Sequence, residues 1–215
     1  MPDKTTPRTY RSALRSEQAA ATRRRVLEAA AACFVEKGYS GTSLPDIGTR
    51  AGVSTETVKA NGPKRNLLLG AFEQAFAGAE GDTPVADSEA AAGITEITDN
   101  DEFLRATAAF VAAANARTSV LWTEFLSAAT TDPAVAEALD GLLARRRQDY
   151  RGVVAMLVER GIAHPETDIE TGADELSFLW SPESHQQLVL QGGWSMGRYE
   201  EWLAGVVRRQ FGSRR

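Results

Sequence analysis

Apolar positions recur along most of this chain at intervals of three and four residues, the period of helices buried on one face. Thr22–Lys37 places Val26, Ala29, Ala30, Cys33 and Phe34 on one stripe, and Gly38 follows as a stop signal. Leu44, Ile47 and Ala51 share a short face, Gly52 ends it, and Val58 is the inward position of the next short helix. Pro63 opens a further helix with Leu67, Leu68, Ala71, Phe72, Ala75 and Phe76. The acidic, small-residue stretch Gly78–Asn100 lacks such a pattern and reads as a connection with a short helical piece. Helical patterning resumes in Asp101–Asn115 and Thr118–Thr130, and a long helix runs from Pro133 to Gly161. Ile169–Trp180, a segment from Ser181–Pro182 to about Leu190, and Ser195–Phe211 complete the set, with Gly192–Gly193 as an interruption. No strand alternation and no internal repeat is evident, so the expected fold class is all-α.

Ser43–Gly62 carries the strongest local signals. Ser43 and Asp46 have the spacing of a capping box, and Pro45 sits in the first turn, where a missing donor is harmless. Gly48 allows two helices to cross closely. Gly52 suits the left-handed residue that ends a helix, Val53 plugs the corner, and Ser54 caps the next helix. Thr55, Glu56, Thr57, Lys59, Ala60 and Asn61 are left on outer or flanking positions. A short helix, a tight turn and a second short helix with a small, polar and basic outer face form the sequence shape of a DNA-binding helix-turn-helix.

With its flanks, this stretch resembles the N-terminal domain of the TetR family of bacterial repressors. The matching residues are Thr22, Arg23, Val26, Leu27, Ala29, Ala30, Phe34, Gly38, Tyr39, Thr42, Ser43, Ile47, Ala51, Gly52, Val53, Ser54, Thr57, Val58, Pro63 and Leu68. Two positions depart from the family pattern: Lys59 and Gly62 stand where the family usually has aromatic residues. Lysine still reaches a phosphate or a guanine edge, so an altered operator preference is expected. Gly62 removes an apolar anchor. The resemblance implies a three-helix DNA-binding domain over residues 22–77 and a helical regulatory and dimerisation domain over 78–215. Residues 1–21, with Lys4, Arg8, Arg11 and Arg15, read as a flexible basic arm. A plain tail is the first reading and insertion into a minor groove the alternative.

Charge supports a polyanion-binding head. Residues 1–70 hold 12 basic and 6 acidic side chains, a net +6, whereas residues 71–215 hold 12 and 23, a net −11. The candidate DNA contacts are Thr42, Ser43, Ser54, Thr55, Glu56, Thr57, Lys59, Asn61, Lys64 and Arg65. Lys59, and Glu56 at a cytosine, are assigned to bases. Thr42, Thr57, Asn61, Lys64 and Arg65 are assigned to phosphates.

The resemblance also implies an effector pocket and a homodimer made by the last helices. Phe103, Phe110, Trp122, Phe125, Met156 and Phe178 are candidates to line an apolar cavity, against the simpler reading of ordinary core. Leu176, Leu179, Trp180, Leu188, Val189, Trp194, Trp202, Leu203 and Val206 are candidates for the dimer face, with packing inside one subunit as the alternative. The lone Cys33 reads as core, as free cysteine commonly is. His164 and His185 lack metal-ligand spacing, His164 as an exposed residue and His185 as a structural one. No nucleophile–base pair, phosphate-binding glycine loop or metal motif is seen, so neither catalysis nor a cofactor is expected. No run approaches a bilayer span and no apolar signal core opens the chain, which leads to a cytoplasmic expectation. The expected partners are double-stranded DNA, a second copy and a small-molecule effector. The competing reading is a helical interaction or ligand-binding module that has lost DNA binding.

Overall fold

The computed structural model describes residues 6–81 and 83–212. Nine α-helices and one π-helical segment occur among them, with no strand: α1 (Thr6–Gly41), α2 (Leu44–Ala51), α3 (Thr55–Ala60), α4 (Lys64–Ala77), α5 (Asn100–Ala129), α6 (Pro133–Glu159), α7 (Ile169–Leu179), α8 (Pro182–His185), the π-helix Gln186–Gln191, and α9 (Met196–Phe211). None of the described helices is long and apolar enough to cross a membrane.

Residues 6–21, expected as part of a flexible basic arm, are helical and form the first part of α1. Ala13 and Ala19–Ala21, interspersed with Arg, Glu and Gln, are strong helix formers. Lys4 and the side chains of Arg8 and Arg11 lie outside the described residues. Gly38 interrupts the helical dihedrals of α1 at φ 73°, ψ 165°, where the stop signal stands.

The expected break between 115 and 118 is also absent, since α5 is continuous. The polar run there is absorbed because Thr118 donates back to the Ala114 carbonyl at 2.7 Å and Asn115 and Ser119 turn inward. The connection after α4 contains two 3₁₀ turns, Val85–Asp87 and Glu89–Ala91.

Two cores hold the molecule. One joins Val26, Leu27, Phe34, Ile47, Val58, Leu67, Leu68 and Phe72 of α1–α4 to Leu121, Trp122, Phe125, Val135 and Leu139 of α5 and α6. The head is therefore packed on the body through shared apolar surface. The other gathers Phe103, Leu104, Tyr150, Val154, Leu157, Leu176, Trp180, Tyr199, Leu203, Val207 and Phe211. Cys33 is buried in the first core.

Candidate nucleic-acid interface and the buried polar seam

The helix-turn-helix is built by its own sequence. The Ser43 side chain accepts from the Asp46 amide while Asp46 accepts from the Ser43 amide at 2.9 Å, a reciprocal capping box. The carboxyl of Asp46 is held well below its ordinary range, first by Lys37 at 2.5 Å and then by Ser43. Gly52 takes the left-handed conformation at φ 66°, ψ 37° that closes α2. Gly48 is the close-approach residue: a Cβ there would lie 3.0 Å from the Val53 carbonyl oxygen and 3.5 Å from Val58 Cγ2. Ser54 caps α3 by accepting from the Thr57 amide, and Val58 is fully buried.

Burial of Val58 turns the opposite side of α3 outward. Ser54, Glu56, Lys59 and Ala60 are exposed, and Thr55, Thr57 and Asn61 are half-buried. Lys59 Nζ donates to Glu56 Oε1 at 2.8 Å, so the cation assigned to a base carries a carboxylate beside it. The Ser54 and Thr57 hydroxyls bond each other at 2.9 Å, and Asn61 Nδ2 donates to the Thr57 carbonyl. Arg65 and Ser43 are exposed.

Two of the expected phosphate contacts, Thr42 and Lys64, are turned inward. Thr42 is only 3% exposed, and its hydroxyl donates to the carbonyls of Cys33 at 3.0 Å and Gly38 at 2.8 Å. Lys64 points back into the head, donating to the carbonyls of Tyr39 and Thr42 at 2.8 and 3.1 Å and lying 4.2 Å over the Tyr39 ring. Burial pushes its ammonium below the ordinary value. Both side chains fasten the Gly38–Ser43 corner. Tyr39 continues that fastening to the body: its amide donates to Glu124 at 3.1 Å and its hydroxyl to Asp132 at 3.3 Å. Burial, then the Asp132 charge, push its phenol up to about 12.

Beside Gly62 a polar tie holds the end of α3. The Arg23 guanidinium donates to the Asn61 carbonyl and pairs with Glu80 at 2.6 Å. Sequence reading placed no role on this arginine beyond the family match.

The candidate effector residues other than Phe178 are divided between the two cores. Trp122 and Phe125 pack with Phe72 in the first core, while Phe103, Phe110 and Met156 belong to the second. Phe178 is 77% exposed. An open cavity lined by Cys33, Glu36, Lys37, Pro45, Asp46, Thr49 and Arg50 lies on the head, away from this aromatic set.

A buried polar seam instead runs between α5, α6, α8 and α9. Asn115, fully buried, donates to the carbonyls of Trp180 and Ser181 and to the Tyr199 hydroxyl at 2.9 Å. Tyr199 bonds Ser184 Oγ at 2.7 Å, and Ser119 Oγ bonds His185 Nδ1 at 3.0 Å. Tyr150 donates to the Trp180 carbonyl at 3.4 Å. Arg146 donates to the Ser177 carbonyl and lies over the Trp122 and Tyr150 rings at 5.7 and 5.6 Å. Burial raises both phenols and lowers the His185 imidazole. The sequence signal was there: Asn115, Thr118, Ser119 and Trp122 share a helix face at intervals of three and four.

The dimer candidates divide as well. Leu176, Trp180, Leu203 and Val206 are buried within the subunit, Trp180 Nε1 donating to the Leu203 carbonyl at 3.2 Å. Leu179, Leu188, Val189, Trp194 and Trp202 remain half-open. His164 is exposed as expected and His185 is buried. Among the described residues no group of three or more His, Cys, Asp and Glu is placed to hold a metal.

Residues 26–58 match the family model of bacterial regulatory proteins of the tetR family. No curated protein matches the chain. Among solved structures, a protein from Mesorhizobium loti described as a TetR-family transcriptional regulator is 21% identical, with 89% of this chain and 95% of that one covered and a TM-score of 0.67. One from Rhodococcus sp., described likewise, is 17% identical over 89% and 99% of the two chains, also at 0.67. A described transcriptional regulator from Saccharomonospora viridis, in complex with choline, is 20% identical over 91% and 100%, at 0.63. Residues 26–58, the helix-turn-helix segment, thus match the tetR-family model of bacterial regulatory proteins, and the chain has the fold of these solved structures.

Proposed function

We propose that this protein is a cytoplasmic, DNA-binding transcriptional regulator: a ligand-responsive repressor that binds a palindromic operator as a dimer. The observation that carries the reading is the outward presentation of α3, capped at Ser54 and anchored by buried Val58, on a head whose first 70 residues have a net charge of +6. Each subunit lays Ser54–Asn61 in a major groove, with half-sites one helical turn, about 34–36 Å, apart. Lys59 and Glu56 face the bases. Ser43, Thr55, Thr57, Asn61 and Arg65 fix the register, and Thr42 and Lys64 hold the corner that aims α3. The dimer face is drawn from Leu188, Val189, Trp194 and Trp202, which the subunit leaves half-open, together with exposed Leu190. An effector that fits only one separation of the two heads releases DNA, because it stabilises only the state it binds.

The Glu56–Lys59 pair and the inward turn of Lys64 also favour a second reading, a ligand-binding module without DNA affinity. Selection of duplexes from a random library by the purified full chain separates the two. The repressor reading expects a two-fold symmetric consensus. Recovery of no enriched sequence overturns it in favour of the module.

A further inference from the structure

Gly70 lies in the middle of α4, where glycine is unfavourable, so a close neighbour is the expected reason for it. That neighbour is a carboxylate. A Cβ at position 70 would stand 3.0 Å from Glu80 Cδ, closer still to Glu80 Oε2, and 3.2 Å from Arg23 Nη2. The chain leaves α4 at Gly78 in the left-handed conformation, φ 81°, and doubles back, so that Glu80 reaches across the helix just completed. The bare face of Gly70 leaves room for that crossing.

The crossing carboxylate meets Arg23 of α1. Arg23 Nε donates to Glu80 Oε1 at 2.9 Å and Nη2 donates to Oε2 at 2.6 Å, a bidentate pair whose side chains are 27% and 29% exposed. The remaining guanidinium nitrogen, Nη1, donates to the Asn61 carbonyl at the C-terminal end of α3. The last carbonyls of a helix have no partner within it, and a cation there also suits the helix dipole. α3 has six residues, too few to be stable on its own. Ser54 caps its start, Val58 anchors its inner side, and Arg23 holds its exit. The far side of the pair is fastened in turn. The Gly81 amide donates to Glu73 Oε2 at 3.1 Å, and Glu73 pairs with Arg145 of α6.

We infer that Glu80 is a positioning residue for DNA reading: it orients Arg23, and Arg23 fixes the exit of α3, so a carboxylate from the connection behind α4 sets the angle at which the outer face of α3 is offered to the groove. The inference rests on the regulator reading for what α3 does, but not for the tether itself. Its sign is opposite to that of charge. An acidic side chain on a polyanion-binding head opposes binding to any duplex, so by charge alone its removal strengthens binding. Removal of a positioning residue weakens binding to the selected sequence and spares the rest.

The test uses the full chain and three variants, Glu80→Ala, Gly70→Ala and the two together. Without DNA, hydrogen exchange at the Asn61 and Gly62 amides, which bond the Val58 and Lys59 carbonyls, is expected to be about tenfold faster in each single variant, with the Ile47 amide of α2 unchanged. The double variant is expected to match Glu80→Ala, because the carboxylate that the added methyl displaces is already gone and the two sites act through one contact. With DNA, affinity of Glu80→Ala for the selected duplex is expected to fall about tenfold, while affinity for a scrambled duplex of the same length holds or rises. Unchanged exchange at Asn61 and Gly62, effects that multiply in the double variant, or an unaltered ratio of the two duplex affinities each overturn the inference. The exchange measurement needs no DNA, so failure to select a duplex removes the regulator reading while the tether of α3 is still decided.

Discussion

At the scale of single residues, exposure decides which side chains are free to act. Lys59 is open to solvent and its partner Glu56 more so. Lys59→Ala is expected to lower affinity for the selected duplex about tenfold, the scale of one lost base contact, while sedimentation shows the same oligomer. Lys64→Ala is expected to act differently, reducing thermal stability through the lost ties to Tyr39 and Thr42. The backbone makes a sharper demand at Gly52. Alanine there must adopt positive φ, costing about 1–2 kcal/mol, which a urea unfolding midpoint reads. In the body, Tyr199→Phe removes the hydroxyl shared by Asn115 and Ser184. Leaving buried partners unmet costs about 1–3 kcal/mol, on the same assay.

His185 sets a pH dependence. Burial depresses its folded-state value, so the unfolded chain takes up a proton more readily. Its stability contribution is complete above the unfolded value, about pH 6.5. It is lost as pH falls through that value toward the lower folded one. Urea midpoints at pH 8 and pH 5 are expected to differ, and His185→Gln is expected to narrow the difference.

At the scale of elements, what the sequence revealed depended on the range of the forces. The α2–turn–α3 unit was legible because its determinants are local: Ser43 with Asp46, the left-handed Gly52, and Ser54 with Thr57 are neighbours in the chain. The inward ties of Thr42 and Lys64 are not legible in the sequence, because they are made to carbonyls brought close only by folding. The apparent break near Asn115 had the same origin. Polar residues read as loop-forming are instead held by α8 and α9, which local pattern cannot reveal. Residues 6–21 are polar and include Pro7, which suits a tail, although their composition also favours helix. Among the terminal elements, the π-helix leaves Leu190 54% exposed. Leu190→Asp is expected to shift the oligomer toward monomer in sedimentation without loss of helical circular dichroism. An unchanged dimer would remove this face from the interface.

At the scale of the whole molecule, the head and body are joined by apolar packing and by directional ties. Phe72 meets Trp122, Tyr39 reaches Glu124 and Asp132, and Glu73 of α4 pairs with Arg145 of α6. Arg117 of α5 donates to the carbonyls of Ala75 and Phe76 at the end of α4. Such contacts couple α4 to the body, since a packed interface transmits displacement rather than absorbing it. The aromatic residues of the body were legible as helical positions. Their division between two cores was not, because periodicity names a face and not the neighbour that covers it.

The most direct measurement is the affinity of the full chain for its selected duplex as a function of salt, by fluorescence anisotropy, beside a scrambled duplex of the same length. An outward α3 on a cationic head predicts tight binding in dilute buffer, discrimination against the scrambled duplex, and log affinity that falls linearly with log salt concentration. Absence of binding to either duplex even at the lowest salt would contradict the account.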